Sequence, residues 1–185
     1  MYAPDDIFNL DETALFFRLG PNATLATGNV KGIKKSKDRI TIALVTNASG
    51  TEKPKEYVIG KVASPRCFGK TYNPEIYVRY RHSKKAWMTT DLFRDWLIEF
   101  NLWMKKAERK VILLVDNATS HRVSDLQMSN VCLHFLPPNT TAHIQPMDAG
   151  IISSFKTHYR KQLNTSPAQR KDRHRRSTCA RHFTW

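Results

Sequence analysis

Residues 110–121, KVILLVDNATSH, carry an unbroken apolar run, Val111–Val115, that ends at Asp116 and gives way at once to the polar stretch Asn117–His121. A short continuous apolar run bounded by turn-forming residues reads as a strand buried on both faces. Such a strand delivers the side chain just past its end to the edge of a sheet, where ligand crevices form. Asp116 occupies that place. A carboxylate there is poorly solvated and calls for a cation nearby to offset the desolvation. Capping of the following helix or turn is the alternative, and the run alone does not separate the two.

Two more acidic sites shift the balance. Ile7-Phe8-Asn9-Leu10-Asp11-Glu12-Thr13 is a second short apolar run that ends in a carboxylate. Further on, Leu136-Pro137-Pro138-Asn139-Thr140-Thr141 leads into Gln145-Pro146-Met147-Asp148-Ala149-Gly150. Beyond Asp148, the positions Ile151, Ile152, Phe155, Tyr159 and Leu163 recur with the spacing of an amphipathic helix. Counted back along that helix, Asp148 heads the inward stripe and faces the sheet. Three carboxylates from distant parts of the chain, with no adjacent arginine or lysine, can therefore meet at one point. Like charges so close repel unless a cation binds. Hard oxygen donors suit Mg²⁺ or Mn²⁺, and two such ions stabilise the attacking and leaving oxygens of a phosphodiester displacement.

The blocks NLDET, GIKKSKDRITIALVTNASG, YVIGK, KKAWMTTDLF, VILLVDNATSH and FLPPNTTAHIQPMDAGI together resemble the DDE-type catalytic domain of pogo/Tigger-like transposases. That family lies within the wider mariner-like group and has domesticated relatives such as centromere protein B and the jerky proteins. The resemblance runs from about Asp5 to Leu163. It implies a ribonuclease H-like fold, an α/β mixed sheet flanked by helices, and metal-dependent cleavage and transfer of DNA strands. Asp11 matches the first acid of the family triad, Asp116 the second and Asp148 the third, which is an aspartate in the pogo-like branch. By the same resemblance these three are the catalytic and metal-binding residues, holding two Mg²⁺ or Mn²⁺ ions. Ala149 stands where the family usually has glutamine.

Composition agrees with a nucleic-acid partner. Thirty Lys+Arg against 16 Asp+Glu give a formal net charge of +14 over 185 residues, which points to a polyanion. No basic amphipathic helix or lipidation motif favours a membrane surface instead, and no apolar run approaches the ~20 residues that span a bilayer. The N-terminal MYAPDDIFNLDE has no signal-peptide core. Cys67, Cys132 and Cys179 are widely spaced and odd in number, and read as reduced thiols. The nucleus is the compartment these features lead us to expect.

The order of elements is α/β. A strand near Ile7–Asp11 precedes a loop punctuated by Gly20, Gly28 and Gly32. Residues 39–46, RITIALVT, turn at Asn47-Ala48-Ser49-Gly50 into a second strand at Glu56–Gly60, a hairpin. Thr89 or Thr90 can cap a helix whose apolar face is Leu92, Phe93, Trp96, Leu97, Phe100, Trp103 and Met104. The strands Val111–Val115 and Val131–Leu136 and the final helix complete the pattern. Residues 1–163 make one DDE-type catalytic domain. Residues 164–185, rich in arginine from Arg170 onward, read as a disordered basic tail.

Other signals are weaker. Gly69-Lys70-Thr71 imitates a phosphate-binding loop, but Ser64 stands where its first glycine belongs and no buried strand leads in. His174, Cys179 and His182 lack a paired Cys-x-x-Cys arm for zinc. His121 is read either as a contact to DNA phosphate or metal-bound water, or as a histidine satisfying a turn. Glu12 points to the face opposite Asp11 if the strand continues, and is not assigned to metal. Lys31, Lys34, Lys35, Lys37 and Arg39, with Lys84 and Lys85 beside Trp87, lead toward the carboxylates and are the candidate DNA-gripping residues. A merely solvated charge run is the alternative.

Together these readings give a transposase-derived, metal-dependent DNA endonuclease and strand-transfer domain. Its partner is DNA, and there is room for a homo-oligomer in a transposition complex. The rival is a domesticated or decayed nucleic-acid-binding protein without catalytic activity. Met1 stands close before Asp11, leaving no space for helix-turn-helix domains, so a truncated copy is expected.

Overall fold

One mixed sheet, its central strands buried on both faces, builds the domain. In the computed structural model, which describes residues 1–17, 38–69, 72–123, 125–137 and 145–165, six strands line up in the order β4-β3-β2-β1-β5-β6. They are β1 (Ile7–Leu15), β2 (Ile40–Asn47), β3 (Tyr57–Gly60), β4 (Arg79–His82), β5 (Val111–Val115) and β6 (Val131–Phe135). β2 is antiparallel to both β1 and β3. The pairs β3–β4, β1–β5 and β5–β6 are parallel. β2 thus runs against all the others, and the C-terminal ends of β1, β3, β4, β5 and β6 share one edge of the sheet.

The period of two along each strand separates two cores. On one face Phe8, Leu10, Ala43, Val45, Val111, Leu113 and Val115 are buried together under helix α1 (Thr90–Lys106). On the other, Leu15, Ile42, Leu44, Val58 and Val78 lie under Met147 and helix α2 (Ile152–Thr165) through Ile152, Phe155, Tyr159 and Leu163. Thr89 is the N-cap of α1, its hydroxyl accepting from the Leu92 amide at 3.3 Å, with Asp91 in the first turn and Lys105 and Lys106 in the last. Phe93, Trp96 and Phe100 are mediocre helix formers, costing some tenths of a kcal/mol each relative to alanine. Burial of each contributes about 1.5–3 kcal/mol, so packing decides this helix. Phe8 meets Phe100 edge to face at 5.2 Å, and Trp96 stacks on Phe100 at 5.0 Å.

Several expectations shift. β1 runs on to Leu15 rather than ending at Asp11. β4 was not foreseen: Arg79-Tyr80-Arg81-His82 has no apolar alternation, because this edge strand is held by pairing to β3 and by Arg81 and Arg79 reaching Glu75 and Glu99. Trp103 lies at the margin of the α1 stripe, 41% exposed. β6 stops one residue early, at Phe135. The expected loop with Gly20, Gly28 and Gly32, the tail from 166 onward, Cys179 and Lys70-Thr71 lie outside the described residues. Among the described residues Cys67 and Cys132 form no disulfide. Among the described residues no helix is long and apolar enough to cross a membrane.

Asn9 ties three elements together from inside the sheet. Only 4% exposed, its side-chain amide donates to the Leu114 carbonyl at 3.0 Å, and its oxygen accepts from the Met147 amide at 3.0 Å. Removing it leaves a buried carbonyl and a buried amide without partners, each costing about 1–3 kcal/mol. Asn9→Ala is therefore expected to lower unfolding stability by roughly 2–4 kcal/mol in urea titration. A loss below about 0.5 kcal/mol, the usual size of a neutral surface change, would contradict this bridge.

Candidate active site

The parallel register of β1 and β5 sets the site. Asn9 pairs with Leu114, so the same register carried two residues further brings Asp11 opposite Asp116, just past the end of β5. Asp11 shares the α2 face of the sheet with its antiparallel partner Leu44 and is 9% exposed. Asp148 lies on a π-type turn, Met147–Ile151, that leads into α2. Asp148 is exposed rather than inward. The helical count back from Ile152 fails because Gly150, with φ of 158°, breaks the helix between them. Met147, not Asp148, takes the buried place at the head of the stripe.

Both other acids nevertheless act on Asp11. Burial is the largest influence raising the Asp11 carboxyl, followed by the negative charges of Asp148 and Glu12, with Asp116 adding to them. The Glu12 amide, 2.8 Å from Asp11 Oδ1, works in the opposite direction. The balance pushes the Asp11 pKa up to about 7. Among the described residues, no three carboxylate, imidazole or thiol groups are gathered tightly enough to cage an ion. The donor chemistry itself fits a hard divalent cation: carboxylate oxygens and an excess of poorly solvated negative charge at the crevice edge of an α/β sheet.

Asp116 has a cationic neighbour, a histidine rather than an arginine or lysine. His121 follows on a 3-10 turn, Thr119–His121, and its ring is fully buried, 4.5 Å from Phe93. Its Nδ1–H donates to Asp116 Oδ1 at 2.6 Å and its Nε2–H to Glu12 Oε1 at 3.0 Å. Burial alone would push the imidazole down, but the two carboxylates outweigh it and raise its pKa to about 10. The same hydrogen bond is the main cause holding Asp116 below the usual carboxylate range, helped by the Ala118 amide at 3.1 Å from Oδ1. Fully buried and engaged at both ring nitrogens, His121 satisfies the turn after β5. Glu12, as the pleat requires, points away from Asp11 and into this contact.

The basic residues divide. Lys31, Lys34, Lys35 and Lys37 lie outside the described residues. Arg39 immediately precedes β2, and its guanidinium sits 4.8 Å over the ring of Trp87, which is 56% exposed. Lys84 and Lys85 are exposed on the turn after β4, and this turn is tied to β2 by the Thr41 hydroxyl donating to the Ala86 carbonyl at 2.6 Å. Topology therefore gathers Arg39, Lys84, Lys85 and Trp87 at the sheet edge toward which β1 and β5 carry their acids. The arginine–tryptophan stack was not foreseen, since residues so far apart in sequence give no local sign of it. Gln145, also overlooked, is 1% exposed, with neither amide atom hydrogen-bonded among the described residues.

Residues 37–182 match the family described as the DDE superfamily endonuclease. The chain belongs to that family. Asp116 and Asp148 fall inside the matched span, whereas Asp11 lies before its start at residue 37. The chain is 37% identical over 170 residues to CENP-B homolog protein 2 of Schizosaccharomyces pombe, covering 87% of this chain and 33% of that protein. It is 35% identical over 162 residues to Tigger transposable element-derived protein 4 of Mus musculus, covering 86% and 31%. To Major centromere autoantigen B of Homo sapiens it is 29% identical over 164 residues, covering 88% and 26%. These relatives make it a transposase-derived, pogo/Tigger-related member of the DDE family, and the chain spans about a third of their length or less. Among solved structures it is similar to the Mos1 mariner paired end complex with Mn, with a TM-score of 0.54 at 16% identity, over 90% of this chain and 46% of that one. The Mos1 strand transfer complex gives 0.52 at 15%, over 91% and 45%. That likeness concerns the fold, which is ribonuclease H-like, as the sequence led us to expect.

Asp11 supplies a stability test for this DDE-family site. Its pKa is raised on folding, from an ordinary 3.8 to about 7, so the folded state holds the proton more tightly than the unfolded one. Stability is lost as pH rises from about 4 through 7, and the loss is complete above that range. In metal-free protein, Asp11→Asn should therefore stabilise by on the order of 2–4 kcal/mol at pH 8. The gain should vanish near pH 4. Thermal unfolding in a chelating buffer checks this, and a variant no more stable than wild type at pH 8 would mean that Asp11 is not under this electrostatic pressure.

Proposed function

We propose that this domain cuts and joins DNA phosphodiester bonds, with Asp11, Asp116 and Asp148 as the catalytic residues and the ligands of two Mg²⁺ or Mn²⁺ ions. The observation that supports the reading is that the negative charges of Asp148 and Asp116 both bear on Asp11, a buried carboxyl with no ion pair to a basic side chain among the described residues. When bound, the ions supply Lewis-acid stabilisation of the attacking and leaving oxygens. The chain's own part is positioning. β1 holds Asp11 within a rigid strand, and β5 delivers Asp116 just past its end. Gly150 lets the Asp148 turn approach from α2. Lys84, Lys85 and Arg39 grip the phosphate backbone, together with Lys31, Lys34, Lys35 and Lys37. The Trp87 ring offers a flat apolar surface beside them, of the kind on which an unpaired base stacks. We place this activity in the nucleus, on DNA, with assembly of several copies in a transposition complex.

A second reading has its own support. Asp148 is exposed and the acids form no closed cage among the described residues. One relative, 39% identical over 166 residues, bears the name ARS-binding protein 1 and comes from Schizosaccharomyces pombe. On this reading the domain grips DNA without cutting it.

A nicking assay separates the two. With Mn²⁺ or Mg²⁺ the purified chain should nick supercoiled plasmid, and Asp116→Asn should abolish nicking without loss of DNA binding. Binding without nicking by the wild type would favour the second reading, and equal nicking by the variant would remove Asp116 from the chemistry. The DNA grip is tested by salt. Each phosphate neutralised contributes roughly 0.9 to the slope of log affinity against log salt, so charge reversal of Lys84 and Lys85 together should flatten that slope by about 2 units. An unchanged slope would free both lysines from the interface.

A further inference from the structure

The sheet sends the adjacent carboxylates Asp11 and Glu12 to opposite faces, and only the first serves the site directly. Glu12 is not idle. Its Oε1 accepts from His121 Nε2 at 3.0 Å, while the other ring nitrogen donates to Asp116 Oδ1 at 2.6 Å. The imidazole between them is wholly excluded from solvent and lies against Phe93 of α1. A doubly hydrogen-bonded ring has no rotational freedom left. Asp116 Oδ1 is occupied twice, by His121 and by the Ala118 amide, and no donor reaches Oδ2 among the described residues.

We propose that His121 and Glu12 are a positioning pair for Asp116: Glu12 fixes the His121 ring through Nε2, and His121 fixes Oδ1 of Asp116 so that Oδ2 is presented to a divalent cation. The inference rests on the proposed metal chemistry of the site and adds two residues to it. Neither touches the cation or the DNA. The device explains why Glu12 belongs beside Asp11: one pleat of β1 delivers a ligand on one face and, on the other, the anchor for the ligand on β5. Outer partners of this kind set the orientation of a metal ligand, and losing one weakens metal binding by about 10–100-fold.

The experiment measures Mn²⁺ binding directly, by loss of the free-ion electron paramagnetic resonance signal as the full chain is titrated. His121→Phe keeps a ring against Phe93 and removes both N–H groups. It should weaken Mn²⁺ binding by about 10–100-fold. His121→Gln keeps one donor and should fall between it and wild type. Glu12→Gln keeps its shape, leaves the core untouched and should weaken binding by several-fold; it carries the test if His121→Phe does not fold. Unfolding temperatures of the same samples, taken without metal, show whether binding is lost from folded protein. Mn²⁺ affinity equal to wild type in folded His121→Phe, or in Glu12→Gln if the former is unfolded, overturns the positioning role while leaving the site standing, provided that Asp116→Asn has lost binding. A wild type that binds Mn²⁺ no better than Asp116→Asn overturns the metal site itself, and the positioning pair with it.

Discussion

The parallel pairing of β1 with β5 is the constraint on which the rest depends. It pairs Asn9 with Leu114 and so directs Asp11 and Asp116, each two residues further on, toward one another by strand register rather than by side-chain attraction, which two carboxylates cannot provide. Everything around the pair relieves or exploits the resulting repulsion. The Glu12 amide bonds to Asp11 Oδ1, His121 balances Asp116, and Asn9 locks the turn before Asp148 to the same two strands. The fold holds negative charge together where water alone would disperse it.

That arrangement has an energetic consequence for function. A carboxyl whose pKa is raised to about 7 by burial and neighbouring charge is destabilising in its ionised form, and a bound cation removes the penalty. A cation bound there would link its binding to folding. The two faces of the sheet divide the work. The α2 face carries Asp11 and the approach of Asp148, whereas the α1 face carries the Glu12–His121 contact, shielded by Phe93. The basic turn after β4 and Arg39 before β2 place positive charge along the same edge, suited to a polyanion drawn over a negative centre.

Much of this was legible because strong local signals agreed with the global fold. The run Val111–Val115 identified β5, the stripe from Leu92 to Met104 identified α1, and the turn residues Asn47-Ala48-Ser49-Gly50 identified the hairpin of β2 and β3. What stayed hidden is non-local. Arg79–His82 looks like a polar loop, and only pairing with β3 makes it a strand. The π-type turn at Gly150 turns Asp148 away from the position a regular helix would give it. The two readings of His121 stayed open because the sequence shows its distance from Asp116 but not its contact with Glu12 of β1.

Anomalous scattering from crystals of the chain grown with Mn²⁺ is the most direct measurement of the central claim. Two peaks about 3.5–4 Å apart, each at bonding distance from carboxylate oxygens drawn from Asp11, Asp116 and Asp148, are the predicted result, with Asp148 moved inward relative to its exposed place here. Diffraction with no ordered Mn²⁺ at these carboxylates, or with Mn²⁺ only elsewhere on the chain, would contradict it.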